Sequence, residues 1–454
     1  MAASKPYRTS PQATTRMPGG IPFIVGNEAA ERFSFYGMKA ILVVFMTTLL
    51  AGRDGSPQPM ADGEAKFWYH AFSSAVYFFP ILGAIVADFF LGKYPTIMLL
   101  SLVYCAGHAA LALDETRTGL AVGLALIALG SGGIKPCVSA HVGDQFGPSN
   151  ERLLPRVFGW FYFAINLGAF ASSLLTPWLL EHHGPWLAFG VPGLFMAAAT
   201  LIFWLGRHTF VHVPPAGLAA LREALGPEGR SALGRLAIVY LFVAVFWALF
   251  DQTGSSWVLQ AGRLDRHFAG IEWLPSQVQA VNPLLVLAFI PLFSYVVWPA
   301  IERFRPMPPL SRIALGLFLA AASFGIVAWT ERLIEAGARP SIGWQVAAYA
   351  VLTAAEIMVS ITCLEFSYTQ APLALKSIVM GLYLLSVSAG NLLAAAVNWL
   401  TTAADGSPLV TGTTYYLLFA GAMTAAAVCF IPVAALLPTR RYIRPEEQDF
   451  RGSP

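Results

Sequence analysis

The sequence predicts an all-α membrane protein with twelve transmembrane helices. Hydrophobic residues make up 56% of the 454-residue chain and charged residues only 12%, against about 25% charged residues in soluble domains. Apolar runs of roughly 20 residues, enough to cross a bilayer, recur between short polar breaks. These runs show no two-residue alternation, which favours helices over a β-barrel. The net charge of +3 offers no electrostatic footprint for a nucleic acid.

The apolar runs divide into two groups of six. Their approximate limits are residues 21–50, 67–91, 95–113, 118–142, 155–181, 186–206, 233–258, 276–302, 309–332, 342–372, 374–402 and 412–437. The connection 207–232 contains Pro214 and Pro215, which is typical of a linker. The predicted units are therefore a tail 1–20, a bundle 21–206, the linker, a bundle 233–437 and a tail 438–454. Two six-helix bundles with the site between them are typical of transporters.

The charged residues between the runs predict the orientation. Most Lys and Arg residues of the connections fall on the side of the two termini, so both termini are expected to be cytoplasmic. The first 20 residues lack the apolar core of a signal peptide. The four cysteines, Cys105, Cys137, Cys363 and Cys429, show no CxxC spacing, so neither a disulfide nor a zinc site is expected. No Walker A, HExxH or GxSxG pattern occurs, which disfavours ATP-driven transport and enzymatic activity.

The first span carries an unusual set of ionisable residues. Glu28, Glu31 and Arg32 are spaced to share one helix face, which Tyr36 and Lys39 continue. Each ionised group costs a few kcal/mol in lipid, so this face must meet protein or a water-filled cavity. A structural Glu–Arg pair is the simpler alternative. Two acids, two bases and a tyrosine on one stripe are more typical of a proton or substrate path.

Two further motifs lie in the first bundle. Gly83-Ala-Ile-Val-Ala-Asp88-Phe-Phe-Leu-Gly92-Lys93 ends the second span and resembles the loop signature of the major facilitator superfamily, although an ordinary glycine turn would look the same. Lys135-Pro136 follows the small residues Gly130-Ser-Gly-Gly in the fourth span. A lysine near the end of a span can also snorkel to the surface, which is the alternative for Lys135.

Polar residues also interrupt later spans. Asn166 in the fifth span is either a site residue or a hydrogen bond between helices, and Asn391 and Asn398 in the eleventh are expected to bond helix to helix. Asp251 in the seventh span and Glu356 in the tenth are carboxylates in apolar runs. A buried carboxylate is neutral or charged according to its neighbours, as proton coupling requires. Asp251 is alternatively a structural partner of Lys39.

Together these motifs resemble one transporter family. Glu28-Ala-Ala-Glu31-Arg32-Phe-Ser-Phe-Tyr36-Gly37 resembles the ExxERFxYYG signature of the proton-dependent oligopeptide transporter (POT) family. The further matches are Lys135-Pro136, the segment from Phe158 to Phe170, Phe246-Trp247 with Asp251-Gln252, Asn282-Pro283 and Glu356. The departures are Phe35 for a tyrosine, Lys39 for an arginine, Asp251 for a glutamate, Tyr383 for a tryptophan, and Ser360-Ile-Thr-Cys-Leu-Glu365 for a Ser-Pro-x-Gly-Leu-Ser run.

The resemblance implies a major facilitator fold and a proton-coupled symporter that imports di- and tripeptides by alternating access. The implied partners are peptides, protons and the lipid of a bacterial inner membrane, without a cofactor or metal, and a monomer is expected. The implied proton-coupling residues are Glu28, Glu31, Arg32, Lys135 and Asp251. The implied substrate-binding residues are Arg32, Tyr36, Lys39, Tyr77, Lys135, Asn166, Asn282, Glu356 and Tyr383. Because of the departures, another solute (a drug, nitrate or a modified amino acid) remains an alternative, as does a non-transporting sensor.

Overall fold

The computed structural model describes residues 7–215, 226–304, 306–370, 376–403 and 409–437. In that part of the chain, twelve helices are long and apolar enough to cross a membrane, so the predicted number of spans is confirmed. Spans 1 to 12 are Ile21–Leu49, Asp62–Leu91, Lys93–Leu113, Arg117–Asp144, Glu151–His183, Pro185–Gly206, Gly229–Ala261, Pro275–Glu302, Pro309–Glu335, Gly343–Ser367, Val379–Leu400 and Gly412–Leu436. The predicted tail 438–454, residues 1–6 and positions 216–225 of the predicted linker lie outside the described residues.

Several spans change their helix type. The α-helices Ile21–Val44, Asp62–Val86, Val281–Leu292 and Gly343–Glu356 run into the π-helical turns Phe45–Leu49, Ala87–Leu91, Phe293–Val297 and Ile357–Ile361. Short α-helices, Trp298–Glu302 and Thr362–Gln370, then complete spans 8 and 10, and 3-10 turns, Glu151–Leu153 and Pro275–Ala280, open spans 5 and 8. Wide, π-helical turns inside α-helices often occur at functional sites.

Span 7 is broken near its end. Its α-helix, Pro227–Phe250, gives way to a 3-10 turn, Asp251–Gly254, and a short helix, Ser256–Ala261. The helix starts before the predicted residue 233 because Pro227 suits the first position of a helix, where its missing N–H is not needed. After span 7, β1 (His267–Phe268) pairs with β2 (Ile271–Glu272) in a small antiparallel hairpin.

The apolar side chains form two large cores. One core is built from residues between Ile21 and Phe210, and the other from residues between Leu236 and Phe430. We refer to them as the N-half and the C-half. Tyr77 of span 2 packs against both cores. The limits of the predicted domains remain a prediction.

Hydrogen bonds between the halves are concentrated at one end of the spans. We name the end at which span 1 begins and span 12 ends the terminal side, and the opposite end the far side. In the described ranges, the residues whose hydrogen bonds join the halves lie in the far-side half of their spans or near the middle of the span. They connect Lys39 with Asp251, His70 with Ser255 and Asn391, Ser74 with Ser388, Gln277 with Leu174, and Gln279 with Ala40. The halves are therefore tied together on the far side.

Candidate functional site

A cavity of about 270 Å³ lies between the two halves. Its lining combines residues of both, and aromatic side chains make up much of the wall. The N-half contributes Tyr36, Lys39, Tyr69, Tyr77, Tyr162, Ile165, Asn166, Ala169 and Ser173; the C-half contributes Trp247, Phe250, Asp251, Thr253, Gln279, Asn282, Pro283, Tyr349, Glu356 and Ser360. The volume lies just below the range of 300–1,000 Å³ that is typical of small-molecule sites. The cavity is therefore suited to a small solute.

The C-half presents a carboxylate to this cavity. Glu356 is the last residue of its α-helix, directly before the π-helical turn of span 10. The amide Nδ2 of Asn282, in span 8, donates to Glu356 Oε2 at 2.8 Å and to Thr353 Oγ1 at 3.0 Å. No cation lies within ion-pair distance of Glu356 in the described part of the chain. The carboxylate is thus oriented by a neutral amide and open to a cationic ligand.

Three ionisable residues of the N-half, Glu28, Glu31 and Arg32, pair with one another inside their own bundle. Arg32 Nε donates to Glu28 Oε1 at 2.6 Å and lies 3.3 Å from Glu31 Oε2. The hydroxyl of Ser131, in span 4, donates to Glu31 Oε1 at 3.4 Å. Both glutamates are 2% exposed. We name this group of Glu28, Glu31, Arg32 and the neighbouring Lys135 the N-half ion cluster.

Three predicted substrate residues do not line the cavity, namely Arg32, Lys135 and Tyr383. Arg32 is paired with Glu28 and Glu31 of its own helix. The ammonium of Lys135 contacts the ring of Tyr77, and Tyr77 does line the cavity. The hydroxyl of Tyr383 hydrogen-bonds to that of Ser360 at 2.8 Å, and Ser360 lines the cavity. The prediction that all three face the cavity directly therefore differs from the structure. The other six predicted substrate residues, Tyr36, Lys39, Tyr77, Asn166, Asn282 and Glu356, do line it.

A buried ion pair joins the halves beside the cavity. Lys39 Nζ donates to Asp251 Oδ1 at 2.7 Å, and Asn391 Nδ2 donates to Asp251 Oδ2 at 2.7 Å. The pairing of Asp251 with Lys39 that the sequence suggested is therefore present. Asn391 links helices as expected, and so does Asn398, which accepts a hydrogen bond from the hydroxyl of Tyr415 in span 12.

His70 extends this network. Because Asn391 Nδ2 donates to Asp251, Asn391 Oδ1 is the atom that accepts from His70 Nδ1, at 3.0 Å. His70 Nδ1 therefore carries a hydrogen, and His70 Nε2 faces the hydroxyl of Ser255 at 2.9 Å. Neutral His70 accepts at Nε2, whereas charged His70 donates there and the hydroxyl reverses its role. His70 is completely buried.

Asn166 lines the cavity, and its side chain hydrogen-bonds within its own helix. Its Nδ2 donates to the carbonyl of Tyr162, one turn earlier in span 5, at 2.9 Å. In the part of the chain that the structure describes, no other helix supplies a hydrogen bond to this side chain. Asn166 lines the cavity, and its carbonyl oxygen therefore remains available to a bound solute.

The sequence interpretation missed several lining residues and His70. Tyr69, Tyr162, Trp247, Phe250 and Tyr349 lie in the wall, but single aromatic residues in apolar runs look like ordinary core residues. The available signal for His70 was its position as an ionisable residue within a span. Its partner Asn391 lies 321 residues away in the chain, so the pairing itself left no local pattern.

Known proteins resemble this chain over most of its length. The sequence model of the POT family matches residues 94–224 and 219–417. Peptide transporter family 1 of Drosophila melanogaster is 38% identical over 368 residues, which are 71% of this chain and 48% of that protein. Human solute carrier family 15 member 2 is 37% identical over 395 residues, 76% of this chain and 53% of that protein. The chain spans about half the length of the curated relatives it matches.

Solved structures agree with this assignment. The crystal structure of an auto-inhibited POT family peptide transporter superposes with a TM-score of 0.85 at 36% identity, covering 94% of this chain and 99% of that chain. The POT family transporter PepTSo gives a TM-score of 0.82 at 36% identity, covering 92% and 98%. The predicted family and fold are thus confirmed. The chain has the major facilitator fold and belongs to the POT family, which is a family of transporters and not of enzymes.

Proposed function

We propose that this protein is a proton-coupled symporter that imports di- and tripeptides by alternating access. The observation that carries the proposal is the cavity between the halves, which Glu356 and Asn282 line from the C-half and Lys39 and Tyr36 from the N-half. Membrane transporters of this architecture bind their solute at the interface of the two repeats. The peptide transporters among the relatives support the choice of solute.

A short peptide fits the charges around this cavity. Its amine would meet Glu356, which is held by Asn282 at 2.8 Å and lacks a cationic partner in the described chain. Its carboxylate would point toward the N-half, where Lys39 lines the wall and Lys135 of the N-half ion cluster contacts the ring of Tyr77. The oxygen of Asn166 would accept from the peptide backbone. Tyr36, Tyr77 and the hydroxyl pair of Ser360 with Tyr383 would adapt to side chains.

Protons would act on the buried acids of the two ion pairs. Protonation of Glu28 or Glu31 removes one of the two ion partners of Arg32. Protonation of Asp251 removes the partner of Lys39 and so breaks an ion pair that joins the halves on the far side. His70 is a further proton acceptor in this proposal, since it can take a proton at Nε2 without losing either hydrogen bond. A proton entering down about 100 mV releases about 2.3 kcal/mol, enough for nearly fiftyfold accumulation of solute.

The location and the conformation follow from the same proposal. We place the protein in a bacterial inner membrane as a monomer with both termini in the cytoplasm, as the loop charges indicate. The hydrogen bonds on the far side then close the cavity toward the outside. The structure would thus correspond to a state that faces inward or is occluded.

Uptake into liposomes tests this function. Purified protein in liposomes with an inward proton gradient should accumulate labelled dialanine and trialanine, and a protonophore should abolish the accumulation. Glu356→Gln should lower peptide binding at least about a hundredfold, because the amine loses its carboxylate partner in a buried site. Asp251→Asn and His70→Gln should impair proton-driven uptake more than exchange of peptide across the membrane.

The same experiment also tests the second candidate function, transport of a different solute by the same fold. Absence of dialanine uptake by the folded wild type would refute the peptide proposal. The family fold would then carry a different solute, which Phe35, Tyr383 and the altered segment Ser360–Glu365 favour. A mutant of a peptide transporter that is 26% identical to this chain, with a TM-score of 0.79, has been solved in complex with alafosfalin, which supports including that compound in the test. Competition between dialanine and such compounds measures the preference.

A further inference from the structure

Lys135 is a buried cation whose ammonium group contacts aromatic rings. Its Nζ lies 3.8 Å from the ring centroid of Phe35 and 4.7 Å from that of Tyr77. Over the described residues, Nζ has no hydrogen-bond partner, and the residue is only 9% exposed. A buried ammonium without compensation is costly, and a cation over ring faces is a recognised source of compensation.

The nearby carboxylates do not pair with Lys135 because Arg32 already holds them. The ion pairs within 4.0 Å in the described chain join Glu28 and Glu31 to Arg32 and not to Lys135. A guanidinium satisfies two carboxylates better than an ammonium does, since its donors form a rigid fork. Lys135 is thereby left to the rings.

The two rings differ in what they can offer. Phe35 is completely buried and stands where the family signature has a tyrosine, so it presents a ring face without a hydroxyl. Tyr77 lines the cavity and packs against the cores of both halves. One ring is therefore fixed inside the N-half, and the other lies between the ammonium and the cavity.

We propose that Phe35 and Tyr77 form an aromatic cage that positions the Lys135 ammonium. Through Tyr77, a solute bound in the cavity changes the position of that ammonium. A solute that moves the Tyr77 ring weakens one wall of the cage and turns the ammonium toward the cavity. Phe35 is thus a positioning residue that acts through Lys135. The cage itself rests on the geometry alone, whereas its role in transport rests on the proposed function.

A double-mutant cycle tests the cage without any transport assay. The midpoint of thermal unfolding in detergent is measured for the wild type, Phe35→Leu, Lys135→Met and the double variant. Because the ring face stabilises a cation only while the cation is present, the two effects should be non-additive by about 2 °C. Phe33→Leu is the matched control, since Phe33 is a buried ring of the same helix that stacks on Phe195 at 3.9 Å. Its effect should add to that of Lys135→Met.

Rescue by a conservative change distinguishes the ring from the hydroxyl. Tyr77→Phe should keep its coupling to Lys135→Met, and Tyr77→Leu should lose it. Additive effects for Phe35→Leu, or equal losses for Tyr77→Phe and Tyr77→Leu, would overturn the cage. If Phe35→Leu does not fold, the Tyr77 pair of variants decides the question.

A kinetic readout tests the link to transport. In liposomes, Phe35→Leu should raise the KM for dialanine about tenfold with kcat largely retained, since a mispositioned ammonium weakens attraction for the peptide carboxylate. An unchanged KM would overturn the role of the cage in transport. A wild type that takes up no dialanine would instead refute the proposed function, and the unfolding cycle would still decide on the cage.

Discussion

The two halves bury charged groups in different ways. In the C-half, Glu331 is completely buried and accepts from Arg263 Nη1 at 2.7 Å, from Arg263 Nη2 at 3.0 Å and from Gln260 at 2.7 Å. In the N-half, Arg32 is shared by two buried glutamates, Glu31 Oε2 lacks an aligned hydrogen bond, and the ammonium of Lys135 lacks one as well. The cluster around Glu331 is complete, and none of its members lines the cavity. The N-half ion cluster is incomplete and touches the cavity wall where Lys135 contacts Tyr77.

This difference indicates which buried charges are free to change. A carboxylate that already has its full set of donors must give up at least one of those bonds when it takes up a proton, so we expect it to stay charged. A cluster with too few donors and acceptors can exchange a proton or an ion partner at lower cost, so it suits coupling. Burial of the acids alone does not separate the two clusters, because Glu28, Glu31 and Glu331 are all almost entirely buried.

The largest effect is expected from the acids of the N-half ion cluster. Glu28→Gln combined with Glu31→Gln should reduce proton-driven uptake about a thousandfold, a loss in the range found when a proton-transferring group is removed. Peptide counterflow should be affected far less. The matched control is Glu331→Gln, which removes a buried carboxylate of the C-half and should leave the dependence on the proton gradient intact. Equal losses of proton-driven uptake in both variants would abolish the distinction between the clusters.

A smaller effect is expected on stability in the C-half. Arg263→Met leaves the Glu331 carboxylate buried with Gln260 as its remaining side-chain donor, which should cost about 3 kcal/mol. Glu331→Gln should cost less, because the freed Arg263 side chain is 50% exposed and can turn to water. Thermal unfolding in detergent measures both. A lower midpoint for Glu331→Gln than for Arg263→Met would show that the unpaired, buried acid is not the larger cost.

The smallest effect is expected from an exposed pair. Arg117 binds both carboxylate oxygens of Glu64 at the far side of spans 2 and 4, where the side chains are 46% and 36% exposed. Arg117→Ala should change the free energy of unfolding by less than about 1 kcal/mol, since water screens such pairs. A loss as large as that of Arg263→Met would mean that pairing geometry outweighs burial in this protein.

The sequence was informative where the relevant pattern is local. The twelve spans and the stripe of Glu28, Glu31 and Arg32 depend on length, hydropathy and helical period, all of which are visible in one segment. Whether a side chain on that stripe reaches the cavity depends on how span 1 rotates against its neighbours. Arg32 and Lys135 were therefore placed at the wall, although Arg32 is held by the glutamates and Lys135 lies behind Tyr77.

The network around His70 shows the other limit of prediction. Its partners Ser255 and Asn391 lie 185 and 321 residues away, and a histidine with neutral partners produces no charge pattern. The same reasoning explains why Lys39 and Asp251 were recognised as possible partners. Two opposite charges within apolar spans require compensation, wherever they lie in the chain.

The wide turn Ile357–Ile361 has a consequence for how span 10 can move. The family run expected after Glu356 contains a proline, and a proline fixes a kink at one residue because it permanently removes an N–H. A π-helical turn instead holds a surplus residue within intact backbone bonding. Such a surplus can migrate along the helix one residue at a time, rotating the side chains it passes by about 100°. Movement of the wide turn along span 10 would therefore rotate Ser360 between the cavity and its neighbour Tyr383, without a hinge in the helix.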